Sequence, residues 1–567
     1  MMKIILIIVK WGANISILLI TLFFFFPYES SAQSWEWAKG GVGTANIEVH
    51  GISNQGVTTD LFGNVYGIAF SEIGPPLFAI IGTDTIHKGV VIVKHNSNNG
   101  NIIWVKNNFK NITTDCLSMV TDPSGNLYVT GQFYDTAILD SYILHAYGGT
   151  GYDLFLAKLD SSGNVLWAKS AGGTASDNSK SITIDPIGNI YITGGSTSHS
   201  IIFDTDTIYN NSNNISYIAK YNGITGNVIW TKPIVADSPI ISSTQVRSCN
   251  ITVDKSSNIL VTGDYFHSNL ISFKNDTVNS PGSIGFFLMK IDSLGNLKWL
   301  KVNRNFIYTH VQTDLSRNIF ITGEFSVNDA LDGISLNLFG TQDVFIAKCD
   351  STGNVIWAKN AGIPGISMTE NGLGLDDSGR VYMITGYYGL DTSLHLHIGT
   401  SIFSVNNPLD PVYIIKLDTS GKTLCGMSIS CGGDDYIGMS IDKFSGIYVC
   451  GDYKDSCRFG PDLITDSSNN ENYFMAKLLM PCSNQNEGIL NASINNFMTV
   501  YPNPVSDQIN VCNSTIINKL EIYNVLGQRI YYSDYCCNKT QINVNNLSAG
   551  MYFLKVNGNE VRIFCKN

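Results

Sequence analysis

His395 and His397 flank a single leucine, so on a strand both imidazoles face one side and could share a metal ion. No Asp, Glu or His stands close by as an evident third ligand, and a solvent-exposed strand edge is the expected setting. Asp376-Asp377 and Asp434-Asp435 offer oxygen ligands of the kind Ca²⁺ takes, but without the acidic spacing and terminal Glu of an EF-hand they read as turn residues. Gly421-Lys422-Thr423 has the ending of a phosphate-binding loop, yet Lys416 occupies the place of the upstream glycine, so a hairpin turn is expected. There is no Gly-x-Ser-x-Gly, and no His is followed by Glu, so neither a nucleophile elbow nor a helical zinc-protease site is written here. None of the 12 Cys forms a Cys-x-x-Cys pair. These residues imply no catalytic group, no metal and no cofactor.

The elements that position side chains must then carry the reading. Charged residues make up only 14% of the 567 positions, while apolar residues reach 44% and aromatics 11%, ample for a packed core. Net charge is −11, from 35 basic and 46 acidic residues, which disfavours nucleic acid as a partner. Residues 1–32 read as a signal peptide. Lys3 and Lys10 precede an apolar run from Ile15 to Phe26, and Ser30-Ser31-Ala32 sets small residues before a cut at Gln33. No other stretch approaches a membrane-spanning length, so no transmembrane segment is expected in the mature chain. An oxidising destination leaves room for a disulfide among the five Cys between 425 and 482, whereas Cys349 and Cys425 occupy apolar positions of a repeat and read as small core residues.

Internal repetition is the strongest signal. An alternating strand, an Asp, a turn and a second strand are clearest at Ile182 to Gly194. The Asp recurs at Asp60, Asp122, Asp185, Asp254, Asp314, Asp376 and Asp442, at spacings of 60 to 69 residues. A second phrase, Phe155 to Lys169, interleaves with the first. Its Lys recurs at Lys94, Lys158, Lys220, Lys290, Lys348, Lys416 and Lys477. Each repeat therefore holds four strands, here A to D, joined A–B and C–D by turns with the pattern Asp-x-x-Gly-Asn. In them Gly supplies positive φ and Asp or Asn binds backbone amides. Such units predict an all-β chain: a seven-bladed β-propeller of four-stranded antiparallel blades.

Strand D carries Trp104, Trp167, Trp230, Trp299 and Trp357, with Cys425 in the sixth copy. The seventh C strand, Tyr473 to Lys477, has no D strand after it, but Trp37-Ala38-Lys39 at the other end of the chain matches one. The N-terminal strand is expected to close the last blade and remove two open edges. The Trp residues could be sugar-stacking platforms. Their equivalent place in every strand favours blade–blade packing.

On these two phrases the chain resembles the SBBP family of bacterial β-propeller repeats over roughly residues 33–480. Gly67-Ile68-Ala69 departs from the pattern in the first repeat, as does Cys425 in the sixth. The resemblance implies a propeller outside the cytoplasm and no particular activity. After an Asn/Ser-rich linker at 481–496, residues 497–567 resemble the type A C-terminal sorting domain of the type IX secretion system. The matching pieces are Tyr501-Pro502-Asn503-Pro504, Ile522 to Gly527 and Leu547 to Tyr552 with Gly550. Strands are expected at Gln508–Val511, Leu520–Asn524, Arg529–Tyr532 and Met551–Val556, in a small β-sandwich-like domain. That resemblance implies the type IX secretion machinery as partner, and secretion or outer-membrane surface display.

The tight A–B and C–D turns share one face of the expected disc. The B–C and D–A joins vary, including Phe133–Tyr152, Thr231–Arg247 and Tyr387–Pro411, and lie on the other face. Variable loops on a rigid scaffold are where function sits. Tyr134, Tyr147, Tyr152, Tyr387, Tyr388, His395 and His397 are the expected ligand residues. Two classes of function fit: a non-catalytic binding or adhesion protein for an extracellular protein or glycan, or a propeller enzyme, lyase or hydrolase, acting on glycans.

Overall fold

The computed structural model describes Ser34–Met480 and Thr499–Lys566, less short internal stretches of which the longest are 49–55, 72–78, 238–244 and 405–411. The linker at 481–496 lies outside the described residues. Of the expected signal segment only Ile8–Trp11 and Asn14–Ile17 are described, as an antiparallel pair. The described residues contain strands and no helix. The chain forms two compact units, Met1–Ser483 and Asn484–Asn567.

In the first unit the A–D pattern is regular. In the third repeat A (Asp177–Ile184), B (Asn189–Ser196), C (Ile215–Asn222) and D (Val228–Asp237) pair antiparallel in chain order. The turns explain why. Asp185 Oδ1 accepts the amides of Ile187 and Asn189, and Oδ2 accepts Asn189 Nδ2 and the Tyr191 hydroxyl. One buried carboxylate therefore satisfies the turn and anchors the B strand. The same bonds recur at Asp60 and Asp122. The first repeat keeps its B strand (Asn64–Ser71), and Gly67 stands in it where a side chain would collide with the Tyr473 hydroxyl.

Ser34–Gly40 pairs with Glu471–Leu479, with Trp37 opposite Lys477 and Ala38 opposite Ala476. Trp167 opposite Lys158 and Trp357 opposite Lys348 show the same register, so the N-terminal strand occupies the D position of the seventh sheet.

The units are not purely four-stranded, which corrects the expectation. The B–C joins are hairpins rather than loops, and most add to the outer edge of the preceding repeat. Leu270–Phe273 and Asp276–Asn279, from the fourth repeat, extend the third sheet by pairing with its D strand, Ile234 opposite Phe273. His395–Ile398 and Ser456–Phe459 do the same for the fifth and sixth sheets. The hairpin of the first repeat, Ala79–Ile81 with Asp84–Ile86, pairs with Val42–Gly43, just beyond the N-terminal strand. Each such hairpin covers an edge that would otherwise present unpaired amides.

The second unit is one five-stranded sheet around Val511, Leu520, Ile522, Leu554 and Phe564. Two expected strands fuse into a single 17-residue strand, Gln508–Asn524. Its first part pairs with Thr499–Tyr501 and its last with Gly550–Val556, while Arg529–Asn543 runs along the other side. This single sheet stands in place of the expected sandwich. Gly550 opens its strand at φ 153. The side chain of Tyr501, and Pro502, Asn503, Pro504 and Gly527, lie outside the described residues.

Candidate functional site

The recurrent Lys and Trp meet the next repeat. Lys220 Nζ and Trp230 Nε1 both donate to the Ser293 carbonyl, at 2.9 and 3.3 Å, in the C–D turn of the fourth repeat. Lys94 and Trp104 converge likewise on Ser161, and Lys348 and Trp357 on Thr419. Each of these ammonium groups also sits over an aromatic ring of its own B strand, Tyr191, Tyr66 and Phe320. Burial pulls the Lys94 and Lys220 ammoniums below their usual range. The indoles need a bare backbone opposite them. At Gly226, φ 73, a side-chain carbon would lie 2.9 Å from the Trp167 ring, and Trp299 stands against Gly353 in the same way. At the N-terminal strand Trp37 stands against Gly100 and donates to the Ser97 carbonyl at 3.0 Å. Lys477 pairs with Glu36 at 2.7 Å.

A cavity of about 240 Å³ is lined by one stretch from every A strand, through Thr58, Val120, Thr183, Thr252, Gln312, Gly374 and Ser440. These residues stand two positions before each repeated Asp, so the cavity lies near the tight-turn ends of the A strands. Among the described residues its lining is of hydroxyls, apolar side chains and the Gln312 amide, with no charged group.

At the opposite strand ends, Tyr134 pairs in register with Tyr152, and their rings meet edge to face at 5.9 Å. They are 49% and 39% exposed, so the aromatic pair faces water. Tyr147 is also 39% exposed, and its backbone amide donates to Asp153 Oδ2 at 2.5 Å. The backbones of Tyr387 and Tyr388 end the sixth B strand, opposite Met368 and Ser367, but their side chains lie outside the described residues. The expected strand edge at His395 and His397 is corrected. His395–Ile398 is an inner strand, paired on both sides, and the half-buried His397 ring lies 4.9 Å from Phe339. The side chain of His395 is outside the described residues. Among the described residues no group of three metal-ligating side chains occurs.

Sequence reasoning missed a buried acidic pair, because its members stand in different repeats. Asp153 and Asp177 are 1% and 0% exposed and interact with each other. Burial raises Asp153 to about 6 and Asp177 to about 7, and the neighbouring carboxylate adds to the second shift. Asp177 also accepts the hydroxyls of Ser196 and Ser198. The thiol expectation divides. Cys349 is free and buried, with its thiol pushed up to about 12. Cys425 is no mere core filler, since it and Cys457 are both disulfide-bonded.

Two family models match parts of the chain. The family model for a secretion system C-terminal sorting domain matches residues 499–566, and that for a β-propeller repeat, SBBP, matches residues 167–202. An uncharacterized WD repeat-containing protein of Acanthamoeba polyphaga mimivirus is 22% identical over 513 residues, covering 75% of this chain; the chain spans 37% of that relative's length. Among solved structures, a quinohemoprotein alcohol dehydrogenase of Comamonas testosteroni aligns at 10% identity and a TM-score of 0.37, over 80% of this chain and 78% of that one. An ulvan lyase, a polysaccharide lyase solved with its sugar, aligns at 10% identity and 0.37, over 78% and 97%. The sorting domain implies engagement with the type IX secretion machinery and points to export to the medium or the cell surface. The chain carries a β-propeller repeat of the SBBP type at residues 167–202 and ends in a type IX secretion-system C-terminal sorting domain.

Proposed function

We propose that this exported chain is a non-catalytic binding or adhesion protein whose seven A–D units close into a seven-bladed propeller. The N-terminal strand, in D register with Glu471–Leu479, and the cavity lined by all seven A strands support that closure. In this reading residues 1–32 are removed as a signal peptide, 33–480 form the propeller, 481–496 link it to the sorting domain at 497–567, and the repeated Trp residues join blades.

The ligand is an extracellular protein or glycan, held on the face of the B–C and D–A joins. The observation that carries this is the water-facing pair Tyr134–Tyr152, fixed by strand register rather than by a mobile loop. Rigid exposed aromatics contribute contact area at low entropic cost, and binding energy concentrates at such residues. Tyr147 adjoins the pair, and Tyr387, Tyr388, His395 and His397 belong to the sixth-repeat part of the same face.

The alternative, an enzyme acting on glycans, draws on Asp153 and Asp177, whose raised pKa values suit acid–base chemistry. Both are sealed from solvent, which favours the binding reading. A glycan- and protein-array screen of the purified secreted chain tests the choice. Retention of a ligand without turnover supports binding, and depolymerisation of a bound glycan supports the enzyme.

A further inference from the structure

Between the third and fourth repeats lies a pocket of about 310 Å³, built from the starts of both A strands and the B–C side of the third repeat. Its lining is polar. Thr197, Asn178 and Asn214 offer a hydroxyl and amides, the buried Ser196 hydroxyl being committed to Asp177, and Lys180 and Arg247 bring two positive charges; among the described residues no acidic side chain is part of the wall. That is unlike the apolar lining of a typical small-molecule pocket and suits a ligand rich in hydroxyls.

Local structure aims both cations. The third A strand has a β-bulge between Ser179 and Ser181, which leaves Lys180 as the extra residue outside the pairing. Bulges re-aim side chains in this way. Arg247 is held by Gln245 Oε1 at 2.7 Å and lies over the Phe266 ring at 5.1 Å. A guanidinium braced on its flank presents a planar fork to an oxyanion. Asp177, beside the wall in sequence, is fully buried on the Ser196 and Ser198 hydroxyls, and burial keeps much of it protonated near neutral pH. In a chain of net charge −11, this concentration of cations in a polar pocket runs against the overall balance. The pocket also adjoins the tyrosine pair. Gly151, before Tyr152, packs so closely on Ala175 and Ser176 that a side chain there would strike their backbone, and Ser176 belongs to the wall.

We propose that this pocket binds an acidic sugar unit of a glycan, with Lys180 and Arg247 pairing its carboxylate or sulfate and the hydroxyl and amide wall taking its ring hydroxyls. The proposal rests on the binding reading of this face and names its ligand class.

Calorimetric titration of the secreted chain with oligogalacturonides, dextran sulfate oligomers and neutral dextran oligomers of matched length tests it. The carboxylated or the sulfated probe should bind, the neutral one should not, and added salt should weaken the affinity. Lys180→Gln and Arg247→Gln should each weaken binding roughly tenfold or more, with melting temperatures unchanged, and Lys180→Arg should retain it. Equal binding of the neutral probe, binding of neither acidic probe, or full affinity in both Gln variants overturns the assignment. If an array ligand binds with full affinity to both variants, the pocket assignment fails and the binding reading stands. If the folded chain holds no ligand of any kind, the binding reading itself fails.

Discussion

The hydroxyl of Tyr473 lies 3.2 Å from His95 Nε2, joining two side chains 378 positions apart in the chain. His95 Nδ1 is 3.0 Å from the Gly100 carbonyl, so Nδ1 carries the proton and Nε2 accepts from the tyrosine. Trp37, from the N-terminal strand, stacks on the same imidazole with centroids 6.2 Å apart. The beginning of the chain, its first repeat and its last C strand therefore meet at one buried cluster.

That cluster predicts an acid-sensitive seam. Burial pushes His95 down to about 4. The neutral imidazole belongs to the folded state, and the unfolded state binds the proton more readily. The contribution is present above the unfolded value of about 6.5 and is lost as pH falls through that range toward 4. Denaturant melts from pH 7 to pH 4 should show this loss, and His95→Gln should flatten it. An identical pH profile in the variant would count against the assignment.

The proposed closure predicts a large effect from a residue in the N-terminal strand. Trp37 is 5% exposed, and its replacement by Ala should cost about 3–5 kcal/mol. Deleting residues 33–40 should expose the seventh sheet and broaden the unfolding transition. Urea denaturation reads both, and a deletion variant with the wild-type midpoint would refute ring closure through this strand.

The buried pair Asp153–Asp177 predicts the opposite slope. Both carboxyls are raised, so their contribution is present below the unfolded value near 4 and is lost as pH rises through about 6 and 7. Asp177→Asn removes one ionisation. The melting temperature of the variant should fall less than that of the wild type between pH 6 and pH 8, and an equal fall in both would exclude the pair as the cause.

How far the sequence speaks depends on whether a feature is forced to recur. Asp185 and its counterparts are legible because a turn needing one carboxylate for four donors admits few substitutes. Lys220 and Trp230 are legible as a phrase, but their shared acceptor, Ser293, belongs to the next repeat and no spacing reveals it. The B–C hairpins pass as loops because they are short and vary in sequence. Asp332-Gly333 between Leu331 and Ile334 was the available signal, a hairpin turn with both φ angles positive. Lys180 is illegible as a pocket residue, because only the bulge takes it out of register.

The most direct test of the functional face compares two sets of substitutions in the secreted chain, against whichever ligand an array identifies. Tyr134→Ala with Tyr152→Ala, on the B–C side, should lower affinity at least about tenfold while the melting temperature holds, as for anchoring aromatics elsewhere. Ile187→Ala and Leu294→Ala, at exposed tips of the tight turns, should leave affinity unchanged. Loss of binding from the turn-tip variants alone, with the tyrosine variant binding as wild type, would place the ligand on the other face of the disc.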